Sequence, residues 1–229
     1  MADYSIVTGG SRGIGLAICR RLKQDGAIPI IFDREAPKES GLGEYRAVDL
    51  ADTEATAAAL EWALGLGPVT RLVNNVGVVM PALLEDTSLE DFDALMALNV
   101  RCAIQCTQAL APAMRQRGMG RIVNISSLAG IKIKGRMIGY ATTKSALISF
   151  TRHCAEALAP YNIRVNCVAP GLIDTDMLND DLPIEDMLKM IPAQRMGTPE
   201  EVAGAVNFLM SEEASYITRQ VLAVNGGLC

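Results

Sequence analysis

Short apolar runs alternate with longer amphipathic stretches from one end of the chain to the other. The runs at 4–8, 27–33, 45–48, 69–74, 120–126, 162–168 and 220–224 are rich in Val and Ile and read as strands. Between them apolar residues recur at helical spacing. Ile14, Ile18 and Leu22 stand at i, i+4 intervals, with Arg20, Arg21 and Lys23 beside them. Strand and helix in alternation predict an α/β fold, a doubly wound parallel sheet of about seven strands with helices on both faces. Two helix starts are legible. Thr198-Pro199-Glu200-Glu201 has the form of a capping box with proline in the first turn, and Ser88-Leu89-Glu90-Asp91 is a weaker version. No linker or repeat divides residues 1–229, which predicts a single domain.

Composition narrows the possibilities. Half of the 229 residues are hydrophobic and only 4% are aromatic, which suits Val/Ile strands packed under Ala/Leu helices. The formal net charge of −5 argues against a nucleic-acid surface. Met1-Ala2-Asp3 runs straight into the first strand without a basic leader, so no signal peptide is expected. Charges interrupt every apolar stretch before the ~18–20 residues of a membrane helix, so no membrane association is expected. Cys19, Cys102, Cys106, Cys154, Cys167 and Cys229 form no C-x-x-C pair, and there is one histidine, His153. No metal site is expected; the cysteines read as small buried residues of a reducing cytoplasm. Cys102 and Cys106 share a helix face. His153 falls on the helix after Lys144, away from the candidate chemistry.

The candidate chemistry begins at Thr8-Gly9-Gly10-Ser11-Arg12-Gly13-Ile14-Gly15, a glycine turn between a strand and a helix. Such a turn aims backbone N–H groups and the positive end of the helix dipole at an anion, here a pyrophosphate. The next strand ends in Asp33, placed to accept hydrogen bonds from adenosine ribose hydroxyls. Its carboxylate would repel a 2′-phosphate, favouring NAD over NADP; Arg12 and Arg34 argue the other way. Tyr140 and Lys144 stand four apart, on one helix face. A lysine ammonium beside a phenol favours the phenolate, so Lys144 is expected to lower the Tyr140 pKa and make it a general acid/base.

Together these residues resemble the short-chain dehydrogenase/reductase family in its single-domain, Rossmann-type form, over essentially the whole chain. The shared features are Thr8-Gly9 to Gly15, Asp49-Leu50, Asn74-Asn75-Val76-Gly77, Asn99-Val100, Asn124-Ile125-Ser126-Ser127, Tyr140 with Lys144, and Pro170-Gly171-Leu172-Ile173-Asp174-Thr175. The resemblance implies a catalytic set of Asn99, Ser127, Tyr140 and Lys144. Of the two serines it selects Ser127, immediately before Leu128-Ala129-Gly130, and leaves Ser126 a supporting role. It implies dinucleotide contacts at Gly9, Ser11, Arg12, Gly13, Ile14, Gly15, Asp33, Asp49, Leu50, Asn75, Gly77, Tyr140, Lys144, Pro170, Gly171, Ile173 and Thr175.

In the mechanism so implied, Tyr140 exchanges a proton with the substrate oxygen, Ser127 positions that oxygen, Lys144 binds the nicotinamide ribose, and Asn99 holds a relay water. The expected activity is NAD-dependent interconversion of a secondary alcohol and a ketone. The alternatives are an NADPH-dependent reductase of 3-oxoacyl thioesters on acyl carrier protein and a non-catalytic nucleotide sensor. Arg115, Arg117 and Arg121 are expected near the cleft end, where they would either meet an acidic carrier or form a solvated helix end. A small-molecule substrate and a homotetramer or homodimer complete the expected partners. Residues at about 175–198, including Met177, Leu178, Leu182, Met187 and Met190, are expected to cover the substrate. Only Arg34 to Glu44 separate the second and third strands, fewer than the roughly dozen residues a helical crossover needs. The helix there is expected to be vestigial, leaving the adenosine end open.

Overall fold

A computed structural model describes residues 3–132, 137–176 and 184–229. Seven strands, β1 (Tyr4–Thr8), β2 (Ile28–Asp33), β3 (Glu44–Ala47), β4 (Val69–Asn74), β5 (Gly120–Ile125), β6 (Ile163–Pro170) and β7 (Val221–Val224), form one sheet in the order β3-β2-β1-β4-β5-β6-β7. Every strand pair is parallel. The helices are α1 (Gly13–Gln24), α2 (Thr53–Leu66), α3 (Leu89–Met96), α4 (Cys102–Arg117), α5 (Ile138–Leu158), α6 (Ile184–Lys189) and α7 (Pro199–Met210).

Successive strand residues serve opposite faces. Ile6, Ile30, Leu72, Ile122 and Val165 pack under α2, α4 and α5, where Ala59, Leu60, Leu110, Met114 and Leu158 are buried. Their neighbours Val7, Ile31, Val73 and Val123 pack under α1 and α7 with Ile18, Leu22, Val202 and Val206. The near-continuous apolar strands of the sequence are thus covered on both sides. Cys102 and Cys106 are fully buried in the first layer, and every cysteine among the described residues is free. Thr198 caps α7 in a complete capping box with Glu201, and Ser88 caps α3 through the Asp91 N–H.

The strand order reverses direction between β1 and β4, which opens a crevice at the carboxyl ends of the strands. The crossover from β2 to β3 has no helix. Residues 34–43 lie instead against α1, held by the Arg20–Glu39 ion pair, a Lys23 bond to the Gly41 carbonyl, and buried Leu42. No helix among the described residues is long and apolar enough to cross a membrane.

Candidate active site

The glycine turn closes β1 onto α1. Gly9 (φ +65°) and Gly13 (φ +52°) hold the left-handed conformation that favours glycine. A Cβ on Gly15 would lie 2.0 Å from the Gly9 carbonyl oxygen, so the helix can approach the turn only without a side chain there. The turn is tied to the end of β4: the Asn75 amide donates to the Thr8 and Gly9 carbonyls, and Thr8 Oγ1 accepts the N–H groups of Asn75 and Val76. Arg12, at the N-cap, provides no side-chain cap, and the first turn of α1 holds no acidic residue. Its N–H groups and dipole therefore face outward unneutralised, which suits a pyrophosphate.

Asp33 ends β2 beside this turn. Its carboxylate accepts the Ser11 N–H at 3.1 Å and the Arg34 N–H at 2.8 Å, placing the charge where an adenosine ribose would lie. Arg12 and Arg34 are exposed and make no ion pair among the described residues. Asp49 accepts the Ala51 N–H, and Leu50 beside it is buried. On the far side, Thr175 reaches the turn; a Cβ on Gly13 would lie 3.4 Å from its Cγ2. Pro170 ends β6, the Gly171 N–H donates to the Val224 carbonyl, and Ile173 pairs with Gly197. The cradle fits a nicotinamide dinucleotide running from Asp33 past Gly13 to Thr175.

The four candidate catalytic residues converge at the carboxyl ends of β4, β5 and β6. Asn99 lies in a π turn, Ala97–Arg101, between α3 and α4. Its side chain is fully engaged: Oδ1 accepts the Val78 N–H, and Nδ2 donates to the Val78 carbonyl and to Thr143 Oγ1. Thr143 in turn donates to the Tyr140 carbonyl at 2.7 Å. Asn99 thus braces the Gly77 loop against α5, and a relay water would need its backbone rather than its amide. Ser127 precedes a single helical turn, Leu128–Gly130, and accepts the Ala129 N–H at 3.1 Å. Ser126 donates instead to the Lys144 carbonyl at 2.8 Å, the supporting role expected of it.

Lys144 is buried, and its Nζ donates to the Ile125 carbonyl at 2.9 Å. Burial lowers its pKa to about 8, with Cys167 beside it pulling the other way. Tyr140 departs from expectation. Burial pushes its phenol above the ordinary value, the Ser127 hydroxyl draws it back, and Lys144 contributes no lowering. The ammonium stands over the ring, 5.7 Å from its centre, and is engaged with the Ile125 carbonyl. In this state Tyr140 is a protonated acid, ready to donate to a carbonyl oxygen. Motif reading missed Thr143, whose partner Asn99 lies 44 residues away in sequence, and Cys167, because only the sheet brings it to Lys144.

One expectation fails on geometry. Arg115 and Arg117 end α4 and Arg121 begins β5, so all three lie at the amino end of the sheet, away from the crevice. Arg115 stacks on Tyr161 at 4.7 Å, and Arg121 is buried. His153 is exposed on α5, away from the chemistry. Of the expected cover, Met187 lies in α6 and Met190 just after it; Met177, Leu178 and Leu182 lie outside the described residues.

Comparison with known proteins places the chain among relatives of the same fold. A family model described as enoyl-(acyl carrier protein) reductase matches residues 9–229. A 3-oxoacyl-[acyl-carrier-protein] reductase of Aggregatibacter actinomycetemcomitans is 39% identical, covering 100% of both chains. The crystal structure of a 3-oxoacyl (acyl-carrier-protein) reductase from Agrobacterium tumefaciens with NADP bound superposes with a TM-score of 0.91 at 30% identity, covering 98% of this chain and 93% of that one. A blue fluorescent protein from a metagenomic library, in complex with NADPH, gives 0.89 at 34% identity, covering 99% and 98%.

Proposed function

This chain belongs to the short-chain dehydrogenase/reductase family of oxidoreductases, and on that premise we propose that it reduces 3-oxoacyl thioesters to the 3-hydroxy form. The full-length likeness to a relative of that activity carries the reading, in preference to a simple alcohol dehydrogenase. The site is compatible with it. Tyr140 donates its proton to the 3-oxo oxygen, and Ser127 hydrogen-bonds the same oxygen and fixes its position. The nicotinamide supplies hydride to the carbonyl carbon. Lys144 holds a buried positive charge over the Tyr140 ring, 5.7 Å from its centre. Leu83 and Leu84, 42% and 70% exposed, follow Ala82, whose carbonyl accepts the N–H of Met137, three residues before Tyr140. They give the mouth an apolar edge suited to an acyl chain.

For the dinucleotide, the residue of this chain that meets the 2′ position decides. Asp33 sets a carboxylate there, and NADH is the donor it favours. The second reading, NADPH, rests on exposed Arg12 and Arg34 and on the two relatives crystallised with NADP or NADPH. The test is reduction of acetoacetyl coenzyme A, followed by loss of nicotinamide fluorescence with each dinucleotide, beside a panel of ketones lacking the thioester. Turnover of the thioester well above the simple ketones is expected. Efficient reduction of ketones with none of the thioester would overturn the reading.

A further inference from the structure

At the end of the sheet opposite the catalytic residues, Arg121 of β5 stands directly across from Arg164 of β6. Residues paired in this way project from the same face of a sheet. The two are only 6% and 5% exposed. A single carboxylate serves them both: Glu212 Oε1 lies 3.0 Å from Arg121 Nη2 and 3.9 Å from Arg164 Nη2, on a side chain that is 80% exposed. The remaining bonds go to carbonyls. Arg121 Nη1 donates to the oxygens of Gly120 and Asn162, and Arg164 Nη2 to that of Ser211. Nε of Arg121, and both Nε and Nη1 of Arg164, are buried without any partner.

Two guanidinium groups so placed repel one another, and buried donors left unmet cost free energy that a fold rarely leaves uncompensated. The charge does not balance internally, because one solvated carboxylate faces two buried cations. Arg164 also lines an open cleft of about 370 Å³ with Ala159, Asn162, Ile163, Ser215, Tyr216 and Thr218. Tyr216 is fully exposed at its edge. None of these residues takes part in the chemistry at the other end of β6, which lies roughly 20 Å away at the usual strand rise.

We propose that Arg164 forms a second anion site, with the buried charge of Arg121 behind it, taking a small phosphate-type oxyanion in the cleft beside Tyr216. Guanidinium forks match tetrahedral oxyanions through paired, charge-assisted hydrogen bonds, and a bound oxyanion neutralises the surplus positive charge.

The test is thermal unfolding of the full chain in rising inorganic phosphate, with ionic strength held constant by sodium chloride. It is run with and without saturating dinucleotide, because the N-terminus of α1 also attracts phosphate. The expected result is a saturable rise of about 5 °C at a hundredfold excess over Kd, present in both series. It should be absent in Arg164→Gln. Ser215→Glu, which brings a carboxylate into the cleft, should fold and lose the response; it decides the matter if Arg164→Gln does not fold. The proposal fails if phosphate stabilises no more than chloride, if the rise vanishes once dinucleotide is bound, or if Ser215→Glu responds like the parent.

Discussion

The ammonium of Lys144 stands 5.7 Å from the centre of the Tyr140 ring while donating to the Ile125 carbonyl. The pair therefore shares a buried pocket without a direct bond from ammonium to phenol oxygen. Burial raises the phenol and lowers the ammonium, so proton donation by Tyr140 and the charge on Lys144 are set by the same desolvation.

Tyr140→Phe removes the proton donor and leaves the glycine turn untouched. Turnover is expected to fall by at least ~10²-fold, the usual worth of a positioned general acid. Dinucleotide affinity, measured by fluorescence titration, should change little. Near-parental turnover in this variant would show that the proton comes from elsewhere.

Lys144 carries a testable pH signature in stability. Its folded pKa of about 8 lies below the ordinary 10.5. Between these values the unfolded chain holds the proton and the folded chain has lost it, so this residue's contribution rises with pH across that window. Below about pH 8 its destabilising effect is fully present. Lys144→Met should therefore melt higher than the parent at pH 7 while losing activity. The gap in Tm should narrow as pH is raised toward 10, and a gap that stays constant would contradict the burial argument.

Gly15→Ala forces a methyl group against the Gly9 carbonyl, which lies 2.0 Å from the position of the added carbon. The helix and turn must separate, at an expected expense of about 1–3 kcal/mol for overpacking. Denaturant unfolding measures that loss, and dinucleotide binding should weaken with it. Gly65→Ala, on α2 with nothing within 4 Å of the added Cβ, serves as the control.

Asp33→Asn removes the charge and keeps only one of the two oxygens that accept the Ser11 and Arg34 N–H groups. Preference between the dinucleotides, taken as a ratio of kcat/KM, should move toward NADPH by about tenfold, the equivalent of about 1.4 kcal/mol. An unchanged ratio would transfer the discrimination to Arg12 or Arg34.

Much of the fold was legible because it rests on short-range patterns. Seven apolar runs became the seven strands with boundaries shifted by no more than two residues, since strands covered on both faces must be apolar throughout. The absent crossover helix followed from the length of the 34–44 segment alone. The glycine turn, the Asp33 terminus and the Tyr140–Lys144 spacing were equally local.

What the sequence by itself determined was therefore element type and strand number, and it marked the candidate reacting side chains, because each rests on patterns of residues within a few positions of one another. Only the tertiary structure decided what surrounds them. It spent the Asn99 amide on Val78 and Thr143, turned the Lys144 ammonium to Ile125, and carried Arg121 to the far end of the sheet from the crevice it was expected to border. The direction of the Tyr140 pKa also lay beyond the sequence, because desolvation comes from elements far apart along the chain, while i, i+4 spacing reports only a potential neighbour.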